Sequence, residues 1–270
     1  MKLRFLGTAA SEGYPNPFCT CANCGRARSL GGRSVRLRSA LLVNDDLLLD
    51  LGPDLLASAQ KLQVDLNRVT TALVTHGHED HLDVTNIRFR KEQQMSARPP
   101  RLRIFGPPQV MEAILLAVDD PEVVLVDLRA VEPFESWEHG GYGFAAYPAT
   151  HGAGRLQCRL YSVSDGRQSF LYACDTGPLP DVTWRALSGE TYDAIILDET
   201  LGLGERYGHM SLDQFADHHV RFRAEGMLKA GGRMIAQHFS HMWNPVHDEL
   251  VRILEPQGVV VAYDGLEIDL

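Results

Sequence analysis

The sequence predicts an α/β sandwich, in which two mixed β-sheets face each other and helices cover their outer sides. Short apolar segments of strand length alternate with longer segments of helical periodicity, and glycine and proline separate most of them. Several of the apolar segments end abruptly in histidine or aspartate. No internal repeat, low-complexity segment or linker interrupts the chain, so we expect a single domain over residues 1–270.

The first half of the chain predicts six strands, at residues 2–6, 39–43, 47–50, 71–75, 102–105 and 123–128. The second and third strands form a hairpin around the turn Asn44-Asp45-Asp46. Three segments have helical spacing, at residues 54–62, 88–95 and 110–118, and Pro53 stands where the first of them begins.

The second half predicts strands at residues 144–148, 155–163, 169–173, 194–197 and 233–236. A helix over residues 212–228 stops at Gly231-Gly232. Residues 259–263 and 266–268 are expected to form a last hairpin around Asp264-Gly265.

Composition narrows the classes of function. The chain has 26 Lys and Arg against 35 Asp and Glu, a formal net charge of −9, which disfavours a nucleic-acid polymer as partner because phosphate contacts need clustered basic side chains. The N-terminal segment lacks a secretory signal, and no apolar segment reaches the length of a membrane span. We therefore expect a cytoplasmic protein that acts on a small molecule away from membranes. The sequence is compatible with a homodimer but does not specify one.

The main chemical signal is His76-Gly77-His78-Glu79-Asp80-His81, which follows a predicted buried strand. Alternate side chains of a strand face opposite ways, so these imidazoles can converge only from a loop at the strand's end. Gly77 would permit the tight backbone path. Imidazole and carboxylate are ligands for zinc, manganese and iron. A polar loop that happens to contain histidines is the alternative, but this density of ligands favours a metal site.

Residues 75–81 resemble the HxHxDH signature of the metallo-β-lactamase superfamily, and nearly the whole chain follows that family's order of motifs. The resemblance implies an αββα sandwich with a dinuclear metal centre, and Asp50 resembles the family's early structural aspartate. The implied ligands of one metal are His76, His78 and His151; those of the other are Asp80, His81 and His238, with Asp175 bridging both.

Two divalent cations of this kind, zinc or manganese with iron also open, explain the expected chemistry. They share a water, lower its pKa and leave it as hydroxide for attack, and they polarise a carbonyl or phosphoryl oxygen. Asp80 therefore takes part in catalysis as a metal ligand and not as a free general base.

A second metal site is indicated near the N-terminus. Cys19, Cys21 and Cys24 form a C-x-C-x-x-C pattern, and three thiolates so close in sequence supply three corners of a tetrahedron. His241 is the best fourth ligand, because one histidine of His238-Phe239-Ser240-His241 can face the catalytic metals while the next points elsewhere. Free or oxidised thiols are the alternative.

This arrangement is similar to one branch of the superfamily, the phosphoribosyl 1,2-cyclic phosphate phosphodiesterases of the carbon–phosphorus lyase pathway. That branch implies a structural zinc on Cys19, Cys21, Cys24 and His241. It also places a further histidine where His209 stands here, to protonate the leaving oxygen or bind a phosphate oxygen. A loop histidine before a helix capped by Ser211 is the alternative. Arg155 and Arg206 are weaker candidates for phosphate contacts.

The leading hypothesis is a metal-dependent phosphodiesterase that hydrolyses a small cyclic phosphodiester, either phosphoribosyl 1,2-cyclic phosphate or a nucleotide-like compound, by attack of the dimetal-bound hydroxide. Residues 88–95 and 199–208 differ from the family pattern, and substrate selection is expected there.

Three alternatives stay open. Another hydrolase of the same fold, acting on a lactone, thioester or lactam, would not need His209. A tRNA 3′-processing endonuclease would carry a basic arm, and the sequence has no such insertion. A non-hydrolytic protein resembling the pyrroloquinoline-quinone biosynthesis protein B would share the Cys-rich loop, but that family tends to lose the catalytic ligands.

Overall fold

The first of two β-sheets contains the strands of the N-terminal half. The computed structural model describes residues 1–91, 94–118, 120–205 and 208–270. The strands are β1 (Lys2–Gly7), β2 (Ala40–Val43), β3 (Leu47–Leu49), β4 (Thr71–Leu73), β5 (Leu102–Gly106), β6 (Val126–Ala130) and, from the C-terminus, β14 (Glu267–Asp269). Their order is β14-β1-β2-β3-β4-β5-β6. The pairs from β14 to β3 are antiparallel and those from β3 to β6 are parallel, so the sheet is mixed.

The second sheet repeats this plan with the strands of the C-terminal half. These are β7 (Ser136–His139), β8 (Tyr142–Pro148), β9 (Arg159–Ser164), β10 (Ser169–Ala173), β11 (Tyr192–Asp198), β12 (Leu228–Gln237) and β13 (Val259–Val261). They are ordered β13-β12-β11-β10-β9-β8-β7, antiparallel from β7 to β10 and parallel from β10 to β13.

Helices cover the outer face of each sheet. They are α1 (Ala22–Leu30), α2 (Leu55–Leu62), α3 (Thr85–Arg88), α4 (Pro108–Ala117), α5 (Asp181–Leu187), α6 (Leu212–Ala224) and α7 (His247–Leu254). Apolar side chains of α2 and α4 pack on the first sheet, and those of α5, α6 and α7 pack on the second. The predicted α/β sandwich is therefore confirmed. No helix among the described residues is long and apolar enough to cross a bilayer.

The core lies between the two sheets, where Phe5, Leu41 and Phe105 of the first sheet and Phe170 and Ile196 of the second belong to one buried cluster. The sheets are covered on both faces, which explains strands such as β2, whose four residues are all apolar and all buried. Each fully buried Leu or Phe side chain contributes roughly 1.5–3 kcal/mol through loss of contact with water.

The predicted C-terminal hairpin is wrong. β13 pairs in parallel with β12 of the second sheet, whereas β14 pairs antiparallel with β1 of the first. Asp264 and Gly265 lie where the chain crosses between the sheets. The Asp264 carboxylate accepts hydrogen bonds from Thr8 Oγ1 (2.8 Å) and Leu37 N (2.7 Å). Asp264 therefore stabilises the crossover between the sheets and not a hairpin turn.

Other boundaries differ from the prediction for local reasons. The helix predicted over residues 212–228 ends at Ala224, before Gly226 with φ 71°, and β12 begins at Leu228. The predicted strand at 155–163 begins only at Arg159, after a 3-10 turn at Gly152–Gly154. Of the predicted helix at 88–95, α3 includes Arg88 alone, and residues 92 and 93 lie outside the described part. The prediction missed α1, β7, α5 and α7.

The predicted metal-site residues lie at or just after the ends of strands, at one edge of the sandwich. The histidine-rich loop follows β4, and Asp175 follows β10 closely. Asp198 is the last residue of β11, and His238 comes directly after β12. β10, β11 and β12 are parallel neighbours, so their carboxyl ends meet at the same edge.

Candidate metal centre

Three histidines form the first of two adjoining clusters. His78 Nδ1 lies 2.8 Å from His76 Nε2 and 3.1 Å from His151 Nε2. Ring nitrogens that approach one another so closely, with their lone pairs facing a common point, need a proton or a cation between them. The structure thus brings together the three residues predicted as ligands of one metal, as a group of potential ligands.

The second cluster contains Asp80, His81, Asp175 and His238, all buried. His81 Nε2 lies 3.2 Å from Asp80 Oδ2 and 3.1 Å from Asp175 Oδ2. His238 Nε2 lies 3.4 Å from Asp80 Oδ2 and 3.0 Å from Asp175 Oδ1. Two carboxylates and two imidazoles in this arrangement match the oxygen and nitrogen ligands that zinc, manganese or iron takes.

Asp175 joins the two clusters. Its Oδ2 is 3.9 Å from His76 Nε2 and 3.8 Å from His151 Nε2, so one carboxylate reaches the imidazoles of both. All seven predicted residues therefore meet at one place, and their donor set fits divalent metal ions. Their coordination of two ions stays a prediction.

Hydrogen bonds fix the other ring nitrogen of four histidines. His81 Nδ1 donates to Asp50 Oδ2 (2.7 Å), and His151 Nδ1 donates to the carbonyl oxygen of Gly208 (2.8 Å). His76 Nδ1 lies 3.0 Å from Thr75 Oγ1, and His238 Nδ1 lies 2.9 Å from Thr200 Oγ1. Each bond places the proton on Nδ1 and leaves Nε2 as the electron-pair donor for a metal.

The charges of the cluster are set by burial and by its carboxylates. Burial, helped by the nearby His81, lowers the pKa of His76 well below its ordinary value, so this imidazole is neutral. Burial opposes protonation of His81, but Asp175 and Asp80 outweigh it and raise the pKa of His81 well above the usual range. A cation bound there would replace this proton, because metal binding to such ligands releases protons.

Two site residues are among the seven non-glycine residues with positive φ in the described part of the chain. Asp50 has φ 65° and His238 has φ 70°, both in the left-handed region that non-glycine residues rarely adopt. Such strain persists where the surrounding structure holds it, often at functional sites. Gly77 is not strained, and a side chain there would meet open space. The glycine that matters is Gly52, whose added Cβ would lie 2.0 Å from the carbonyl oxygen of Asp80.

His209, the predicted catalytic histidine, lies beside both clusters. Its ring centroid is 4.7 Å from that of His151 and 5.4 Å from that of His238. Nδ1 donates to Asp198 Oδ2 at 2.8 Å. Burial opposes protonation of His209, but the Asp198 carboxylate outweighs it and raises the pKa to about 9. Ser211 caps α6 as expected, with Gln214 completing the capping box, and the catalytic role of His209 stays a prediction.

These residues line a cavity of about 200 Å³. Sequence reasoning identified His78, Asp80, His151, Asp175, His209 and His238. It missed other lining residues, among them Ser11, Glu12, Thr200, Ser240, Met242 and Trp243. The position of Glu12 in the N-terminal loop that leads to the cysteines could have drawn attention to it. Arg155 does not line this cavity, and Arg206 lies outside the described residues.

The four predicted zinc ligands of the second site also come together. Cys19, Cys21, Cys24 and His241 have their ligand atoms within 4.8 Å of one another. Cys21 Sγ lies 3.6 Å from His241 Nδ1 and accepts a hydrogen bond from Cys24 N at 3.4 Å. Burial opposes ionisation of Cys21, but this bond and His241 outweigh it and lower the thiol pKa to about 6. A low thiol pKa favours the thiolate, which is the metal-binding form.

The cluster of Cys19, Cys21, Cys24 and His241, here called the thiol group, also connects parts of the fold that are distant in sequence. Cys21 is the N-cap of α1, and His241 follows β12 in the other half of the chain. Cys158 and Cys174 are buried elsewhere and do not belong to this group. A cation held here would tie the N-terminal loop to the C-terminal sheet.

Residues 46–239 match the family model described as the beta-lactamase superfamily domain. The chain is 27% identical to coenzyme PQQ synthesis protein B of Azoarcus sp. (strain BH72) over 317 aligned positions, covering all of both proteins.

Two solved structures are similar in fold over almost their whole length. One is a diphosphatase from the PhnP family, with a TM-score of 0.77 at 23% identity, covering 100% of this chain and 97% of the other. The other is zinc-bound PqqB from Methylobacterium extorquens, with a TM-score of 0.77 at 20% identity and full coverage of both chains.

Proposed function

The chain belongs to the beta-lactamase superfamily, and we propose that it is a divalent-metal-dependent phosphodiesterase acting on a small cyclic phosphodiester, phosphoribosyl 1,2-cyclic phosphate or a nucleotide-like compound. The main support for this proposal is the position of His209. A proton-bearing imidazole held by a buried aspartate beside both clusters suits a reaction whose leaving group is a poorly acidic sugar oxygen. Hydrolysis of a thioester has less need of this group, because a thiolate leaves without a proton.

The metal-binding residues fit one divalent cation at each cluster, with Asp175 shared. Bound cations would lower the pKa of a water molecule and offset negative charge on the phosphoryl oxygens. We propose a separate structural zinc at Cys19, Cys21, Cys24 and His241.

His209 would serve as the general acid. In the reaction a water oxygen bonds to phosphorus, the bond from phosphorus to the sugar oxygen breaks, and that oxygen needs a proton. Asp198 accepts the Nδ1 hydrogen, so the proton to be transferred is on Nε2. Thr200 donates to the other oxygen of Asp198 at 2.8 Å, which holds the carboxylate in place. After transfer, the neutral imidazole regains a proton from solvent.

The test compares leaving groups. Wild-type protein loaded with zinc, manganese or iron is expected to hydrolyse bis-p-nitrophenyl phosphate, cyclic nucleotides and cyclic ribose phosphates. His209→Gln should lower kcat for the sugar diesters by about 10²–10⁴-fold. It should cost much less for bis-p-nitrophenyl phosphate, because nitrophenolate leaves without a proton. An equal loss on both kinds of substrate would remove the general-acid role.

A second candidate is a non-hydrolytic biosynthesis protein resembling coenzyme PQQ synthesis protein B. The full-length match to the Azoarcus protein and the Cys-rich N-terminal loop favour it. The presence of all seven metal-site residues in one place favours an enzyme. Full metal loading without turnover of any diester, thioester, lactone or lactam would decide for the non-hydrolytic candidate.

A further inference from the structure

The cavity beside the metal-site residues also has apolar lining residues, namely Ala10, Leu201, Met242 and Trp243. Met242 is 49% exposed, and Trp243 is partly exposed. The histidines and aspartates that line the same cavity are polar, and under the proposed function they attract the phosphate group. The apolar residues therefore offer a surface to a different part of the substrate.

Two glycines pack closely against Trp243. A Cβ atom added to Gly204 would lie 2.5 Å from Cδ2 and 2.6 Å from Cε3 of the indole. All three bonds of the fused carbon Cδ2 lie in the ring plane, so an atom that has Cδ2 as its nearest neighbour lies over a face of the ring. A Cβ atom added to Gly202 would lie 2.3 Å from the carbonyl oxygen of Trp243. The backbone at residues 202–204 therefore fixes Trp243 and covers one face of its indole.

The exposed part of the Trp243 side chain is carbon. Its Nε1 atom is buried, so the surface that the indole presents to the cavity is apolar and aromatic. This surface lies outside the contact with Gly204. An aromatic carbon surface binds a planar ring by stacking, and every nucleobase has a π-face that can take part. A sugar or a phosphate alone has no such ring.

We propose that Trp243 is a specificity-determining residue that stacks against the base of a nucleoside cyclic phosphate. The inference rests on the proposed function and narrows it to the nucleotide-like substrates. With the cyclic phosphate at the metal clusters, the base is the part of such a substrate that matches an aromatic carbon surface in the same cavity. Phosphoribosyl 1,2-cyclic phosphate has no base and gains nothing from this contact.

Kinetics on a matched substrate pair test this. Adenosine 2′,3′-cyclic phosphate and methyl riboside 2,3-cyclic phosphate contain the same cyclic diester, and only the first has a base. The metal-loaded wild type should have the higher kcat/KM for the adenosine compound. Trp243→Leu keeps an apolar side chain but removes the aromatic ring, and we expect the preference to fall about 5–100-fold. Trp243→Phe keeps a ring that can stack and should retain most of the preference.

Tryptophan fluorescence gives a second measurement that does not need turnover. The chain has three tryptophans, and the other two, Trp137 and Trp184, are buried in the two apolar clusters of the second sheet's faces. Stacking of adenosine 2′-monophosphate on Trp243 should quench its emission in the metal-loaded protein, whereas methyl riboside 2-phosphate should leave the emission unchanged. The quenching should disappear in Trp243→Phe and persist in Trp184→Phe, the same exchange outside the cavity.

Three results overturn the inference: an unchanged preference in Trp243→Leu, a wild-type preference for the methyl riboside, or quenching that persists in Trp243→Phe. If Trp243→Leu does not fold, the fluorescence comparison of Trp243→Phe with Trp184→Phe decides. Failure of the wild type to hydrolyse bis-p-nitrophenyl phosphate or either ribose diester would instead defeat the proposed function, while the fluorescence measurement would still test Trp243.

Discussion

The two groups of potential metal ligands differ in how the fold builds them. The histidine and aspartate clusters gather residues that follow strands of both sheets, and four of their imidazoles have the second nitrogen hydrogen-bonded to protein. The thiol group lies in a loop and the first turn of α1, joined by one distant histidine. Cys19 and Cys21 are only partly buried, whereas His76 and His81 have no exposed surface.

Under the proposed function, this difference separates a catalytic centre from a structural one. The first adjoins a cavity, and its Nε2 atoms are oriented before any ion arrives, as a catalytic metal needs. The second has fewer supporting bonds, so a bound zinc itself would supply the order. We therefore expect loss of the first to abolish activity and loss of the second to reduce stability.

The largest expected effect is that of His76→Ala. Removing one imidazole from the three-histidine cluster should release metal from the catalytic centre and reduce turnover to the uncatalysed background. Elemental analysis should give about three metal ions per chain in the wild type and fewer in the variant, with the zinc of the thiol group retained.

The stability of His76→Ala is the control. His76 is fully buried, so the variant could lose turnover by unfolding. A cooperative thermal unfolding transition must therefore show that it is folded before the loss of turnover is interpreted. Normal metal content together with a wild-type rate would contradict the assignment of the cluster.

Cys21→Ser should have the opposite effect on activity and stability. We expect loss of one zinc and destabilisation by about 3 kcal/mol, which lowers Tm by roughly 5 °C, while most of the activity per folded molecule remains. Calorimetry and elemental analysis measure these quantities. Cys158→Ser makes the same exchange at a buried position outside the group and should retain the full metal content. Unchanged zinc in Cys21→Ser would leave the cysteines as free thiols.

The contrast also explains what the sequence could predict. The ligand residues are recognisable because their types and local spacing are chemical requirements, and the order of His76, His151, Asp175 and His238 follows the family pattern. The apolar strands were predictable because both faces are buried, which requires continuous apolar segments.

What the sequence could not predict depends on contacts between distant segments. The Asp264-Gly265 turn signal is the same for a hairpin and for a crossover between sheets, and only pairing with β1 and β12 decides between them. Glu12 reaches the cavity because the N-terminal loop pairs with Phe239, 230 positions along the chain from Ala9. Local periodicity carries no information about either contact.

A smaller effect, at Asp50, sharpens the distinction between the two centres. Asp50 accepts the Nδ1 hydrogen of His81 and two hydrogen bonds from Thr75. In Asp50→Asn the amide would present hydrogens to His81 Nδ1, which favours the tautomer whose Nε2 carries the proton and cannot bind metal. We expect metal affinity at the catalytic centre to fall about 10–100-fold, measured by competition with a chelator, with no change at the thiol group. Asp54→Asn, which breaks an ion pair with Arg38, is the matched control. Equal loss of metal from both centres in Asp50→Asn would mean that the variant loosens the whole fold, and the separation between the two centres would fail.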